Sequence, residues 1–160
     1  MAYFGAVSIV FAVYLIWREY SSFLDGELSW CRGFLKALCD YRDKVRCYMI
    51  TPSDWAADYS DERLSSCGFL GFLLEGSDFM TAYKNSDKPL CLTDATDSAL
   101  TSCFSRLGEG YLDTELEALG VAVDKLTAEE KGLSESLAKR RKALGAMLGA
   151  VASGIVILVM

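Results

Sequence analysis

The sequence contains no histidine, and its six cysteines include no Cys-x-x-Cys pair. Without histidine, the chain lacks the usual general base at physiological pH, the Ser-His and Cys-His nucleophile pairs, and the commonest zinc ligand. Without a Cys-x-x-Cys pair, it has neither a zinc knuckle nor a thioredoxin-like redox site. A Gly-rich phosphate loop and a Gly-x-Ser-x-Gly elbow are missing as well. We therefore expect no enzymatic activity, no metal and no cofactor.

Charge is missing from both ends of the chain. All 16 basic and 22 acidic residues fall between Arg18 and Lys142, so this middle segment alone carries the net charge of -6. Such a segment is typical of a water-exposed acidic domain. It does not suit nucleic acid, which requires clustered Lys and Arg side chains, so no nucleic-acid partner is expected.

The N-terminal segment is apolar and uncharged from residue 2 to residue 17. Leu, Ile, Phe and Val each favour insertion at the centre of a bilayer by about 0.3–0.6 kcal/mol, and Trp17 and Tyr20 suit the membrane–water interface. The segment is near the short limit for crossing about 30 Å of hydrocarbon. We predict an N-terminal transmembrane anchor over residues 1–20. A cleaved signal peptide is the alternative, but no cation precedes the apolar run and no Ala-x-Ala site follows it.

The C-terminal segment, residues 143–160, is also free of charge and closes with an apolar run. It predicts a second transmembrane anchor. Gly145, Gly149 and Ser153 recur every fourth residue and form a small-xxx-small face, which lets two membrane helices approach closely. The alternative is that Gly and Ala are simply common in membrane spans.

Basic residues flank both predicted anchors on the side of the middle segment: Arg18, Lys139, Arg140, Arg141 and Lys142. By the positive-inside rule, the central domain is cytoplasmic and both termini are extracytoplasmic. The same residues suit anionic lipid headgroups, so membrane lipids are expected partners. An extracytoplasmic domain with three disulfides, in one of about 15 connectivities, requires the opposite orientation. We instead expect buried, reduced thiols.

The middle segment, residues 21–142, has only two prolines and no long alternation of apolar and polar residues, which favours helices throughout. The fold class predicted is all-α: a compact helical bundle flanked by an N-terminal and a C-terminal transmembrane helix. Six segments are expected. The first helix continues from the first anchor to just before Pro52, and the second runs from Thr51-Pro52 to about Tyr59. The third ends at Gly76, with Leu64, Cys67, Leu70 and Leu74 inward, and is followed by a short turn capped by Ser77 or Asp78. The last two helices run from Thr93 to Gly108 and from about Leu112 into the second anchor.

Two groups of carboxylates are candidates for acid–base or divalent-metal chemistry. Asp58 lies near Asp61 and Glu62, and Glu115 lies near Glu117. The favoured interpretation is that both groups are solvated helix surface, since no second motif supports a site.

Four short motifs occur in a fixed order: Tyr48-Met49-Ile50-Thr51-Pro52, Ala82-Tyr83, Leu107-Gly108 and Lys142-Ala143-Leu144-Gly145. In order and spacing, nearly the whole chain resembles the stage III sporulation protein AB family of spore-forming Firmicutes. The resemblance implies a domain similar to the cytoplasmic helical domains of the type II secretion F platform protein. It also implies a non-enzymatic platform or assembly subunit of the secretion-like channel between mother cell and forespore, in the mother-cell membrane that faces the forespore.

The partners that the resemblance implies are a secretion-type ATPase and other membrane subunits of the channel complex. After Leu107-Gly108 the family usually has an Asp and then a Gln, where this sequence has Tyr111 and Glu115. Together with Asp113, these two positions are the candidate partner contacts. The alternative is a membrane-tethered helical adaptor that recruits a single soluble partner. The two hypotheses differ in whether the anchors pack against other membrane spans.

Overall fold

The computed structural model describes residues 2–89, 91–107 and 111–159, without the side chains of residues 2–10, 148, 151–153 and 155–159. Over these ranges the protein is all-helical, and no strand is present in them. The helices are α1 (Ala2–Tyr48), α2 (Pro52–Asp58), α3 (Glu62–Ser66), α4 (Phe69–Leu74), α5 (Phe79–Asn85), α6 (Asp94–Phe104) and α7 (Leu112–Val159).

The first and last helices form a long antiparallel pair. They contain 47 and 48 residues, so each is about 70 Å long at 1.5 Å per residue. Arg32 Nε lies 2.7 Å from Glu130 Oε1, and Arg141 Nη2 lies 2.7 Å from Asp25 Oδ2. Early residues of α1 thus contact late residues of α7. The start of α1 and the end of α7 therefore lie at the same end of the molecule.

The five short helices pack against the second half of α1 and the first half of α7 and complete one hydrophobic core. Aromatic rings form its centre: the centroids of Phe34 and Phe69 are 5.7 Å apart, and those of Phe79 and Phe104 are 5.4 Å apart. The buried residues of α1 within this core run from Cys31 to Val45. The residues of α1 that precede Leu24 consequently lie beyond the bundle.

Three of the short helices begin at the residues that the sequence predicts. Thr51 Oγ1 accepts a hydrogen bond from the Asp54 amide at 3.2 Å, and Pro52 occupies the first turn. Asp78 and Thr93 cap α5 and α6 in the same way. Each side-chain oxygen satisfies an amide that the first helical turn leaves without a partner. The predicted starts are confirmed.

The single helix predicted from Leu64 to Gly76 is wrong. The chain breaks between α3 and α4 because Gly68 adopts a φ of 82°, a left-handed conformation that glycine takes without steric cost. Leu64, Cys67 and Leu70 are buried as predicted, but the change of direction turns Leu73 into the core and leaves Leu74, the fourth predicted inward residue, exposed. Gly76, with a φ of 89°, ends α4 as expected. α6 ends at Phe104 with Ser105 as its C-cap, earlier than the predicted end at Gly108, a residue that itself lies outside the described part.

Within the part of the chain that the structure describes, no helix is both long enough and apolar enough to cross a membrane. The flanking transmembrane helices predicted over residues 1–20 and 143–160 thus receive no support from the fold. Many of the side chains on which those predictions depend, including those of residues 2–10 and 155–159, lie outside the described part.

Candidate functional site

The end of the molecule where α1 begins exposes large apolar side chains in every outward direction. Phe11 and Ile16 are 60% and 70% exposed, and Tyr14 and Leu15 are exposed as well. Successive residues of a helix differ by about 100°, so these four side chains cover the outer half of α1. We call this group the apolar tip. A helix that is apolar on all sides is characteristic of an apolar environment rather than of water.

Next to the apolar tip, both long helices acquire their first charges at the same height. Arg140 Nη1 donates a hydrogen bond to Tyr20 Oη at 3.3 Å, so these two residues lie at about the same height, within reach of one long side chain. Arg18 precedes Tyr20 by two residues and Lys142 follows Arg140 by two. Both therefore lie about 3 Å beyond that contact, in the direction of the apolar tip. The boundary between charged and apolar surface is thus level across the two helices.

The predicted flanking cations, Arg18, Lys139, Arg140, Arg141 and Lys142, form a cationic collar at this boundary, and the structure divides them into two kinds. Arg140 and Arg141 contact α1: Arg141 Nη2 lies 2.5 and 2.7 Å from the two carboxylate oxygens of Asp25. Lys139 and Lys142 are three residues apart and so share a face of α7. They are exposed, and neither forms an ion pair with any described residue.

Beyond the collar, α7 is uncharged and exposes Met147. A Cβ atom added at Gly145 or Gly149 would meet no atom within 4 Å. At these two positions the predicted small-residue face therefore has room for a side chain. Ser153, its third member, lies outside the residues whose side chains are described.

The candidate partner contacts lie at the opposite end of the pair. Tyr111 is 88% exposed, and its carbonyl accepts hydrogen bonds from the amides of Thr114 and Glu115 at 2.9 and 3.2 Å. Asp113 is exposed, whereas Glu115 is half-buried. Burial, and then the charge of Glu115, raise the pKa of the Tyr41 hydroxyl. Glu115 therefore faces the core in part, and acidic residues here also suit the positive N-terminal end of α7.

Two further residues at that end belong to the motif Tyr48-Met49-Ile50-Thr51-Pro52 but are not among the predicted partner contacts. Tyr48 and Met49 close α1 and are both highly exposed, and Met49 has a positive φ of 50°. With Tyr111 they define what we call the distal end. The sequence gives little indication that these two residues are exposed, because an apolar pair ahead of Pro52 is equally consistent with burial.

Two of the other reactive groups, Asp61 and Cys103, have structural surroundings. Asp61 caps α3 by accepting from the amides of Arg63 and Leu64 at 3.0 and 3.2 Å. In the described residues, no group of three or more Cys, Asp or Glu side chains could hold a metal ion. All six cysteines lie in the described ranges with free thiols. Burial raises the pKa of Cys103 to about 12, which keeps this thiol protonated and poorly nucleophilic.

Fold and site together define an all-helical protein with an apolar tip, a cationic collar and an exposed distal end about 45 Å away, given 31 residues of helix between Tyr111 and Lys142. Comparison of the chain with family models, with curated proteins and with solved structures finds no significant match. The resemblance to the sporulation family consequently stays a prediction.

Proposed function

We propose that this chain is a non-enzymatic docking subunit, held in a membrane by its two ends and carrying its helical bundle on one side. The observation that carries the proposal is the level boundary between the apolar tip and the cationic collar. A bilayer surface is planar, so two helices that enter it from the same side lose their charges at the same height. Trp17 and Tyr14, with ring centroids 6.1 Å apart, lie where interfacial aromatic residues are enriched.

The collar also gives the orientation. Its cations lie on the bundle side of the boundary, which favours a cytoplasmic bundle and extracytoplasmic termini. Because α1 and α7 continue from the bundle to the apolar tip without interruption, movement of the bundle is coupled to the membrane segments.

In its specific form, the proposal makes the chain a platform or assembly subunit of a sporulation channel between mother cell and forespore. The distal end docks a secretion-type ATPase, and the long helices pass the resulting restraint to other membrane subunits. Two features support this form: the order of the sequence motifs, and the exposure of Tyr111 and Asp113 far from the collar. The open space beside Gly145 accommodates a neighbouring span.

The second candidate is a membrane-tethered adaptor that recruits one soluble protein. It is favoured by the contact between α1 and α7 themselves. Leu137 is buried, and Arg141 is paired with Asp25 directly before the apolar part of α7. The two long helices therefore already support each other at the base of the proposed anchors, which favours a pair that does not require a third span.

The test is to tag the full chain in its native host, solubilise the membranes gently and identify the proteins that co-purify. The platform hypothesis predicts a secretion-type ATPase with several membrane proteins. It also predicts that Gly145→Leu combined with Gly149→Leu removes the membrane proteins. The control is Gly132→Leu, which makes the same change in a part of α7 where a Cβ atom likewise meets nothing within 4 Å.

Recovery of one soluble protein, unaffected by either change, supports the adaptor. A chain that is not recovered with the membrane fraction contradicts both candidates.

A further inference from the structure

The cationic collar contains more positive charge than its contacts with the protein use. Arg140 and Arg141 are occupied by Tyr20 and Asp25, and these contacts hold the two long helices together. Lys139 and Lys142 lie on the outer face of α7 and are exposed, as is Arg18 at the same height on α1. The sequence shows four consecutive cations, but the helix divides them into an inner pair and an outer pair.

We propose that the outer cations, Arg18, Lys139 and Lys142, bind the phosphate headgroups of anionic phospholipids and select these lipids over neutral ones. This inference rests on the proposed membrane anchorage, because the headgroup layer meets the collar only if the apolar tip is inserted. Long Lys and Arg side chains keep their charge at the headgroup level while their methylene groups cover apolar surface. Each basic residue near an anionic surface strengthens binding about fivefold.

The surroundings of the collar leave it net positive. The carboxylates on the facing stretch of α1 are fewer than the five cations, and two of them already face arginines: Asp25 is paired with Arg141, and the charge of Arg140 acts on Glu27. Two more carboxylates lie near the collar without such a contact in the described residues: Glu19 beside Arg18, and Glu135 one helical turn before Lys139, which brings the carboxylates to four against five cations. The protein as a whole has a net charge of -6 and is repelled by an anionic surface. Attraction to anionic lipid therefore has to come from the collar.

The experiment uses the full chain in phosphatidylcholine vesicles that contain an equal fraction of brominated phosphatidylglycerol or brominated phosphatidylcholine. Bromine quenches indole fluorescence only at short range, so quenching of Trp17 reports which lipid lies next to the collar. Trp30 is 13 residues further along α1, about 20 Å from Trp17, and Trp55 is buried in the bundle core, so both give a constant background.

We expect the brominated anionic lipid to quench Trp17 more strongly than the neutral one. Lys139→Gln combined with Lys142→Gln should reduce this preference at least fivefold. Lys125→Gln combined with Lys131→Gln removes the same charge from exposed positions of α7, at least about 12 Å from the collar, and should leave the preference unchanged. Added sodium chloride should weaken the preference of the unaltered chain, since the attraction is electrostatic.

Equal quenching by the two lipids, or an unchanged preference in the Lys139 and Lys142 variant, overturns the lipid inference and leaves the membrane anchorage intact. If both double variants lose the lipid preference equally, the preference is an effect of net charge, and the lipid inference is also overturned. No quenching of Trp17 by either lipid overturns the anchorage, and the lipid inference with it.

Discussion

Two tyrosine hydroxyls at the bundle differ in whether they have a partner. Tyr83 Oη donates a hydrogen bond to Asp97 Oδ1 at 2.7 Å, whereas the buried Tyr59 Oη has no hydrogen-bond partner among the described residues. Tyr83→Phe should lower the free energy of unfolding by about 1 kcal/mol, the usual net value of one hydrogen bond. Tyr59→Phe should cost nothing or stabilise the fold, because it removes a desolvated group. Urea unfolding of the full chain in detergent measures both, and equal losses would contradict the assignment.

Asp97 makes part of the stability dependent on pH. The hydroxyl of Tyr83 and the ammonium of Lys88, 2.9 Å away, hold the pKa of Asp97 below its ordinary value. A carboxyl with a lowered pKa in the folded state stabilises the fold above its unfolded pKa of about 3.9, and this contribution is lost as the pH falls through the folded pKa. The effect is modest, because the side chain is 41% exposed.

Asp97→Asn should therefore lower the melting temperature at neutral pH, and the difference from the unaltered chain should shrink as the pH falls below about 3.9. Asp94→Asn, at an exposed position of the same helix, is the matched control. An equal deficit at neutral and acidic pH would show that the carboxylate charge of Asp97 has no part in stability.

The cysteines differ in burial, and this difference can be measured as thiol reactivity. Cys47 is exposed, whereas Cys31, Cys67 and Cys103 are buried. Burial raises the pKa of all three buried thiols, and the thiol reacts as its thiolate. A maleimide should modify Cys47 rapidly in the folded protein and the buried three only after unfolding, as counted by mass spectrometry. Rapid modification of Cys103 under native conditions would contradict the packing of α6 against α7.

At the scale of single elements, two helical glycines have different surroundings. A Cβ atom at Gly132 would meet nothing within 4 Å, whereas one at Gly26 would lie 3.1 Å from Cys91 Sγ. Gly132→Ala should raise the free energy of unfolding by about 0.5–1 kcal/mol through helix propensity alone. Gly26→Ala should give a smaller gain or a loss, because the thiol has to move.

Combining Gly26→Ala with Cys91→Ala should restore the gain, measured relative to Cys91→Ala alone by thermal unfolding. If Gly26→Ala stabilises the chain as much as Gly132→Ala does, the contact between α1 and the segment before α6 is not as described.

The elements also show what local sequence determines. The caps at Thr51, Asp78 and Thr93 could be predicted from the sequence. In each of them a side-chain hydroxyl or carboxylate accepts a hydrogen bond from a backbone amide only three residues away. The break at Gly68 could not be predicted from the sequence. The spacing of Leu64 and Leu70 is the same whether they lie on one helix or on two. Only packing of Phe69 and Leu73 into the aromatic core selects the broken form.

At the scale of the whole molecule, the collar could be predicted in part. Four consecutive cations before an uncharged segment identify a boundary in the sequence. Their division into inner and outer pairs depends on contacts such as Arg141 with Asp25, which are 116 residues apart and leave no local pattern. Tyr111 at the distal end was among the predicted contacts, whereas Tyr48 was not, because its position beside the start of α7 depends on the antiparallel pairing of the long helices.

The proposed anchorage places the apolar tip and the end of α7 in a bilayer and the bundle outside it. Nitroxide labels attached at Ile16→Cys or at Met147→Cys test this placement. In both variants Cys39, Cys47 and Cys91 are replaced by alanine. Native Cys47 is the reference, in a chain with only Cys39 and Cys91 changed to alanine. Each label's collision rates with oxygen, which concentrates in hydrocarbon, and with a water-soluble nickel chelate are compared in vesicles.

Labels at Ile16 and Met147 should collide mainly with oxygen, and the label at Cys47 should collide mainly with nickel. If all three labels collide mainly with nickel, neither end of the helix pair is in the membrane, and the proposed anchorage is wrong.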